Sequence, residues 1–487
     1  MNLNEERNSF FSGFFWKFNE QIMGQVVSFI VSIILARLLS PRDYGLVSLV
    51  NVFIILANVF VTSGLSTALI QKKEATKTDF STIFYCNFVL SLVIYFLIFI
   101  FSPNIAAFYH DNRLVHIVRI FALNLPISSI NAIQQSYISR KIAFRDIFLS
   151  TSVASILSGI IGIIFAYMGW GVWALVIQSL SNTIIATLVL FIKIPWHPQF
   201  IFSIKSAKEL FNYGWKVLVA DFLGTFFAQL RNLVIGRFYT VTDLAFYNRG
   251  DQFPNLLSNN IDNTISAVLF PVMSKHGDNV LKLKNMIRRS LRTSTYIITP
   301  IMFGLAVIAK PLILMLLTAK WLPAVPYMQV LCISNAFSTI TNTDLQVMKA
   351  SGRSDMLLKI EIIKKPVYIL LLFLGIRCSV FMVAVTMAIY SFYAALVNMR
   401  PNKKIINYSA KEQLKDILPS LILSSIMAIL TLSIELLNLS NILTLIIQIL
   451  VGISAYVFGS AICRLEPYMY LKKYLKESIK SKLKKDA

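Results

Sequence analysis

A duplication inside an apolar chain constrains this sequence more than any other feature. Trp16-Lys17, an apolar run, Arg37 and Asp43-Tyr44-Gly45 recur as Trp215-Lys216, an apolar run, Arg237 and Asp243-Leu244-Ala245. The spacing from Arg to Asp is the same in both copies, and Phe53 and Leu69 find Phe253 and Leu269 at the same offset. A repeated helical hairpin predicts two related lobes, and in a bilayer two such lobes enclose a site between them.

The bilayer is implied by composition. Hydrophobic residues make up 56% of the 487 positions and charged residues 14%, too apolar for a water-soluble globule of this length. Runs such as Phe88–Phe101, Ile156–Tyr167 and Leu421–Leu432 approach or reach spanning length with few or no charges. The pattern predicts an all-α integral membrane protein of about fourteen transmembrane helices, the first near Gly13–Leu39 and the last near Ile442–Cys463. The eighth, Leu244–Met273, is polar enough for a hydropathy scan to miss it. The N-terminus lacks a cleavable-signal pattern, so the first apolar stretch reads as a retained helix.

The repeat assigns residues 1–196 to an N-terminal lobe of six helices and 197–400 to a C-terminal lobe of six. Two further helices follow over 401–463, then a basic cytoplasmic tail over 464–487. An even number of helices separates the copies, so the lobes relate by an axis along the membrane normal. In the tail, Leu471, Leu475, Ile479 and Leu483 recur at helical spacing among lysines. That pattern suits a helix on an anionic leaflet or a solvated tail.

A net charge of +23 suggests nucleic acid in a soluble protein. Here the basic residues follow topology instead. With the N-terminus inside, the outer segments hold only Arg37, Arg42, Arg113, Arg237, Lys320 and Arg377, while inner segments hold runs such as Lys282, Lys284, Arg288, Arg289 and Arg292. This asymmetry predicts N-in and C-in, with no nucleic-acid partner. The four cysteines and four histidines are scattered, so no metal site or disulfide framework is expected. No Gly precedes a Lys, and neither His-Glu-x-x-His nor Gly-x-Ser-x-Gly occurs, so nothing points to an enzyme or to a cofactor.

What remains is charge within predicted helices, where an ionised side chain costs roughly 2.5–3.5 kcal/mol on insertion scales and marks a pathway or an internal pair. Helix one aligns Lys17 with Gln21 and Gly24, and helix seven carries Lys216, Asp221 and Arg231. Helix eight carries Arg249 and Asp251 beside a stripe of Asn248, Gln252, Asn255, Asn259, Asp262 and Asn263, which cannot face lipid. Lys17, Lys216, Arg231, Arg249, Asn255 and Asn259 are therefore the candidate substrate-binding residues. Glu20, Asp221, Asp251 and Asp262 are the candidates for ion coupling. The competing account pairs these cations with Glu20, Asp221 and Asp251 to hold the lobes together. Arg37, Asp43, Arg237 and Asp243 read as structural, in end-caps or local ion pairs. Lys364 and Lys365, beside Pro366, read as paired with Glu361 or snorkelling, ahead of ligand binding.

The segment Leu35-Ala36-Arg37-Leu38-Leu39-Ser40-Pro41-Arg42-Asp43-Tyr44-Gly45 resembles the first-hairpin signature of bacterial polysaccharide exporters. Tyr247-Asn248-Arg249-Gly250-Asp251-Gln252-Phe253-Pro254, followed by Phe270-Pro271, resembles their eighth-helix signature. The likeness is to the Wzx-type branch with the colanic acid and teichuronic acid exporters, in the multidrug/oligosaccharidyl-lipid/polysaccharide (MOP) flippase superfamily. It implies two pseudo-symmetric lobes around a central cavity that opens alternately to either side of a bacterial plasma membrane. It implies a polyprenyl-diphosphate-linked oligosaccharide as cargo, for O-antigen, capsule or exopolysaccharide, flipped from inner to outer leaflet. Membrane lipids, a polysaccharide polymerase and chain-length machinery are the implied partners of a monomer. The rival readings are a MATE-like cation or drug antiporter, which calls for an acidic cavity and about twelve helices, and a membrane glycosyltransferase or polymerase, which calls for a sizeable outer loop with paired carboxylates.

Overall fold

A computed structural model describes residues 23–72, 74–141, 144–274, 280–437, 439–470 and 472–473. Lys17, Glu20 and most of the basic tail, Leu475, Ile479 and Leu483 included, lie outside the described residues. What is described is helix throughout, joined by short turns. The elements are α1 (Met23–Leu38), α2 (Pro41–Thr62), α3 (Leu65–Gln71), α4 (Lys77–Phe108), α5 (Leu114–Phe121), α6 (Asn124–Lys141), α7 (Phe144–Tyr167), α8 (Val172–Lys193) and α9 (Ile204–Phe238). They continue with α10 (Val241–Ser274), α11 (Val280–Val307), α12 (Ala309–Leu316), α13 (Val325–Ala350), α14 (Ser354–Cys378), α15 (Val380–Ile406), α16 (Ala410–Leu432) and α17 (Asn441–Ile462). Helices satisfy every backbone group internally, as hydrocarbon demands.

Nine helical stretches among the described residues are long and apolar enough to cross a membrane, or ten if α11 and α12, bent by 69° at their junction, count as one. The second predicted helix passes, as α2 with α3, but the eighth, α10, does not. α13 and α14 are also long yet too polar, and the described part of α1 is short.

The duplicated motif is a duplicated helix cap. At the start of α2, the Asp43 carboxylate accepts from the Ser40 backbone N–H at 3.1 Å and its hydroxyl at 2.6 Å, while the Asp43 N–H donates back to Ser40 Oγ at 3.3 Å. At the start of α10, Asp243 does the same with Thr240 at 3.2, 2.6 and 3.2 Å. Both are capping boxes, which satisfy the orphan N–H groups of a helix start with a negative charge at the positive end of the dipole. Thr76 and Asp79 build a third at α4.

Packing divides the chain into two compact units between Ala245 and Phe246. In the first, α9 packs on α2, α3 and α4, although the sequence repeat groups α9 with the second lobe. Small residues allow it. A Cβ on Gly64, whose φ is +70°, would come within 2.8 Å of the Gly214 carbonyl oxygen, so the two backbones touch directly. Packing and repeat thus divide the chain at different places. In the second unit, α13 pairs with α15, α11 with α16, and α14 with α15. Ile287, Leu291, Val347, Ile406 and Ile417 form its apolar centre. Phe96, Ile100, Leu370 and Phe458 are among many large apolar side chains left exposed, as lipid solvation permits.

An ionic face joins α11 to α16. Lys284, Arg288 and Arg292 follow one another at four-residue steps, one side of a helix. Lys284 pairs with Glu412 at 2.9 Å. Arg288 grips the buried Asp416 carboxylate with two nitrogens at 2.6 and 3.0 Å, Arg292 joins it, and the Tyr408 hydroxyl donates to it at 2.7 Å. Burial pushes the Tyr408 phenol well above its ordinary range, so it stays a donor. Breaking such a pair leaves a charge stranded, at a cost of about 3–5 kcal/mol, whereas an exposed pair is worth about 0–1 kcal/mol. Asp416→Asn is therefore expected to lower the thermal unfolding temperature in detergent sharply, and Glu412→Gln hardly at all. Equal effects from the two would refute this ranking.

Candidate functional site

α10 is polar on two faces, and the structure treats them differently. One face is laced to α13. Asn335 Nδ2 donates to Asp251 Oδ1 at 3.3 Å, and Ser258 Oγ donates to Asn335 Oδ1 at 2.8 Å. Asn342 donates to Asp262 Oδ2, and Gln346 Nε2 donates to Ser266 Oγ at 2.9 Å. The α13 partners Asn335, Asn342 and Gln346 advance by seven and then four positions, and the α10 partners Ser258, Asp262 and Ser266 by four and four, so the ladder runs along one helix seam. Gly250 lets the helices close, since a Cβ there would meet the Met328 amide nitrogen at 2.8 Å. Asp251 and Asp262 are consequently buried, at 9% and 8% exposure.

The other face is open. Asn255, Asn259 and Asn263, at four-residue steps, are exposed, and Asn259 Nδ2 donates to Asn255 Oδ1. Three neighbouring carboxamides offer donors and acceptors in alternation, the chemistry that reads hydroxyl-rich ligands.

Arg249 begins this stretch. It is 5% exposed, donates to the Gln252 carboxamide oxygen, and lies 4.8 Å from the ring centre of the fully buried Trp321. Stacking on an indole holds a guanidinium in place while leaving its charge in the unit. On α9, in the first unit, Lys216 and Asp221 are exposed and Arg231 is half-buried. Lys216 has no carboxylate at ion-pair distance among the described residues. Arg237 lies 2.8 Å from His110 Nε2 and over the Phe108 ring at 4.9 Å, tying the end of α9 to the turn after α4. In that turn the bidentate Arg113 guanidinium holds the Asp111 carboxyl below the usual range.

The α10 candidates thus share one helix, split between a laced and an open face. Glu361 takes Lys364 at 2.6 Å and Lys365 at 3.4 Å, the pairing the sequence suggested. Sequence reasoning missed Asn335, Asn342 and Gln346, whose signal was their 7-and-4 spacing, and Trp321. It also missed Asp344, which is fully buried and accepts from Asn402 Nδ2 at 2.7 Å.

A two-unit helical membrane protein with capped, duplicated hairpins and a helix half scaffold, half open polar surface defines a transporter class of fold. Residues 34–326 match the family described as polysaccharide biosynthesis protein, and the chain belongs to that family of membrane transport proteins. It is 22% identical over 331 residues to the succinoglycan biosynthesis transport protein ExoT of Rhizobium meliloti (strain 1021), covering 68% of this chain and 67% of that protein. It is 26% identical over 305 residues to the teichuronic acid biosynthesis protein TuaB of Bacillus subtilis (strain 168), covering 62% and 63%. The fold is similar to that of the lipid II flippase MurJ in an inward closed conformation, with a TM-score of 0.73 at 18% identity over 93% of this chain and 98% of that one. An inward-facing multidrug resistance MATE transporter of the MOP superfamily gives a TM-score of 0.60 at 14% identity over 79% and 94%.

The two faces of α10 respond differently to mutation. Asn335→Leu removes the acceptor of the buried Ser258 hydroxyl and one donor to Asp251, at about 1–3 kcal/mol for a buried group that loses its partner. Asn259→Ala removes an exposed side chain, so unfolding temperature should fall for the first variant and hold for the second. An unchanged Asn335→Leu melt would contradict the ladder.

Proposed function

We propose that this protein flips an undecaprenyl-diphosphate-linked oligosaccharide unit from the inner to the outer leaflet of a bacterial plasma membrane by alternating access. The open carboxamide face of α10 carries the reading: Asn255, Asn259 and Asn263 suit sugar hydroxyls, and they follow directly on Arg249, a cation suited to phosphate. Lys17, Lys216 and Arg231 complete the proposed anion-facing set. Glu20, Asp221, Asp251 and Asp262 remain the proposed coupling carboxylates, of which Asp221 is the exposed one among those described. A MATE-like antiporter would want its acids open, whereas Asp251 and Asp262 turn to α13.

The proposed architecture has fourteen spans. α1, α10, α13 and α14 join the ten apolar ones, with six-helix lobes over 1–196 and 197–400, two added helices over 401–463, and both termini inside. MurJ's likeness extends over more of this chain than the MATE likeness, which supports the added pair. Two exposed native cysteines test it: Cys378 ends α14 on the proposed outer side, and Cys463 follows α17 on the proposed inner side. In single-cysteine variants, an impermeant maleimide applied to intact cells should label Cys378 and spare Cys463. The reverse pattern would overturn the orientation.

Outward transfer of a negative head group along an inside-negative potential gains roughly 2.3 kcal/mol per charge per 100 mV. Two charges would gain about 4.6 kcal/mol, enough to drive export without another ion. In vesicles holding labelled polyprenyl-diphosphate-linked sugar, imposed potential should therefore accelerate flipping. Arg249→Ala should abolish it, Arg249→Lys should retain part, and Asn255→Ala with Asn259→Ala should slow it at unchanged stability. Full activity in Arg249→Ala removes the assigned role, and indifference to potential removes the electrical drive.

A further inference from the structure

The second unit contains a trough of about 780 Å³ that none of the proposed cargo residues lines. Ile261, Ile265 and Leu269 of α10 and Met286 and Ile297 of α11 make its walls, and Tyr470, from the segment after α17, completes them. Hydroxyls of Ser290, Thr293 and Ser294 from α11, and Asn260 and Thr264 from α10, interrupt a mainly apolar surface.

The cations of α11 sort onto two faces around this trough. Lys284, Arg288 and Arg292 are spent on Glu412, Asp416 and Glu466 of the neighbouring segments. Arg289, one position round the helix from Arg288, lines the trough instead. Its guanidinium lies 3.5 Å from the centre of the Tyr470 ring, and no carboxylate lies within ion-pair distance of it among the described residues. An apolar slot with a cation held over a ring at its wall is complementary to an alkyl chain with a singly anionic head. The volume falls in the range of about 300–1,000 Å³ usual for small-ligand pockets, suited to one chain with its phosphate and far short of a sugar unit with a polyprenyl tail.

Resting on the proposed orientation, Arg289 lies about 13 Å along α11 from its inner end, the depth of inner-leaflet head groups. We infer that this trough binds an anionic phospholipid of the inner leaflet, its phosphodiester on Arg289 and Tyr470 and one acyl chain along Ile261, Ile265 and Leu269. Bound there, the lipid spans the seam between α11 and α10, the helix that carries the open carboxamide face.

The test uses the full chain, delipidated in detergent, with phosphatidylglycerol, phosphatidylcholine of the same chains and undecaprenyl phosphate as probes, read by native mass spectrometry. Phosphatidylglycerol should be retained about tenfold more strongly than phosphatidylcholine, whose choline cation neutralises the head group and repels the Arg289 guanidinium. Arg289→Gln should erase that preference, and Tyr470→Leu should reduce it, with unfolding temperatures of the lipid-free proteins unchanged. Retention of the preference in Arg289→Gln, or its absence in the wild type, overturns the site. Displacement of phosphatidylglycerol by equimolar undecaprenyl phosphate, lost in Arg289→Gln, also overturns it by making the trough a cargo site. No cargo flipping enters this readout, so failure of the export reading leaves the lipid result standing. Cysteine labelling separately decides which leaflet supplies the lipid.

Discussion

A polar side chain on a membrane helix must meet protein or water, and α10 makes that constraint the organising fact of the second unit. Its length suits a span but its composition does not, so it cannot stand in lipid alone. The ladder from Asp251, Ser258, Asp262 and Ser266 to α13 supplies protein for one face. The remaining face, with Asn255, Asn259 and Asn263, is left to water or ligand. One amphipathic pattern, polar against polar, thereby fixes the helix and leaves a surface free for recognition.

The same unit solves burial of charge in a second way at α11 and α16. There Asp416 receives two guanidinium groups and a phenol, so every lone pair of the carboxylate finds a donor. The α10 ladder instead offers neutral amides of α13 to the buried carboxylates of Asp251 and Asp262, so those hydrogen bonds bring no opposite charge. An ionic lock on one seam and an amide lace on another set different resistances to separation within one body. Arg289 belongs to neither arrangement, which is why its neighbourhood reads as a site.

Much of this was legible in the sequence where the signal is local. The capping boxes of Asp43 and Asp243 lie within three residues of their partners, and the pairing of Lys364 and Lys365 with Glu361 lies within one helical turn. The polar stripe of α10 announced that the helix avoids lipid. It did not say which polar residues turn inward, because that depends on Asn335, Asn342 and Gln346, some eighty positions away. The contact of Arg249 with Trp321 was equally hidden, since it joins positions some seventy residues apart. The basic residues of α11 read as a topology signal, and only packing against α16 shows three of them to be structural partners. The packing of α9 with the first unit was hidden for the same reason: glycine-to-glycine approach leaves no periodic trace.

The duplication itself was not symmetric in its consequences. Caps are kept in both copies, as Ser40 with Asp43 and Thr240 with Asp243, so each hairpin begins its second helix alike. Past the caps the copies diverge at positions of the proposed cargo residues. Leu49 stands where the second copy has Arg249, Ile55 where it has Asn255, and Val59 where it has Asn259. Leu49 and Val59 are buried in the first unit. Apolar side chains there can pack α2 onto its neighbours but cannot hydrogen-bond a ligand, while their counterparts on α10 can. The two copies are thus alike in their helix caps and unlike in the chemistry of the helix that follows. The proposed cargo residues Arg249, Asn255 and Asn259 thus have apolar counterparts in the first copy, and the polarity of α10 belongs to the second copy alone.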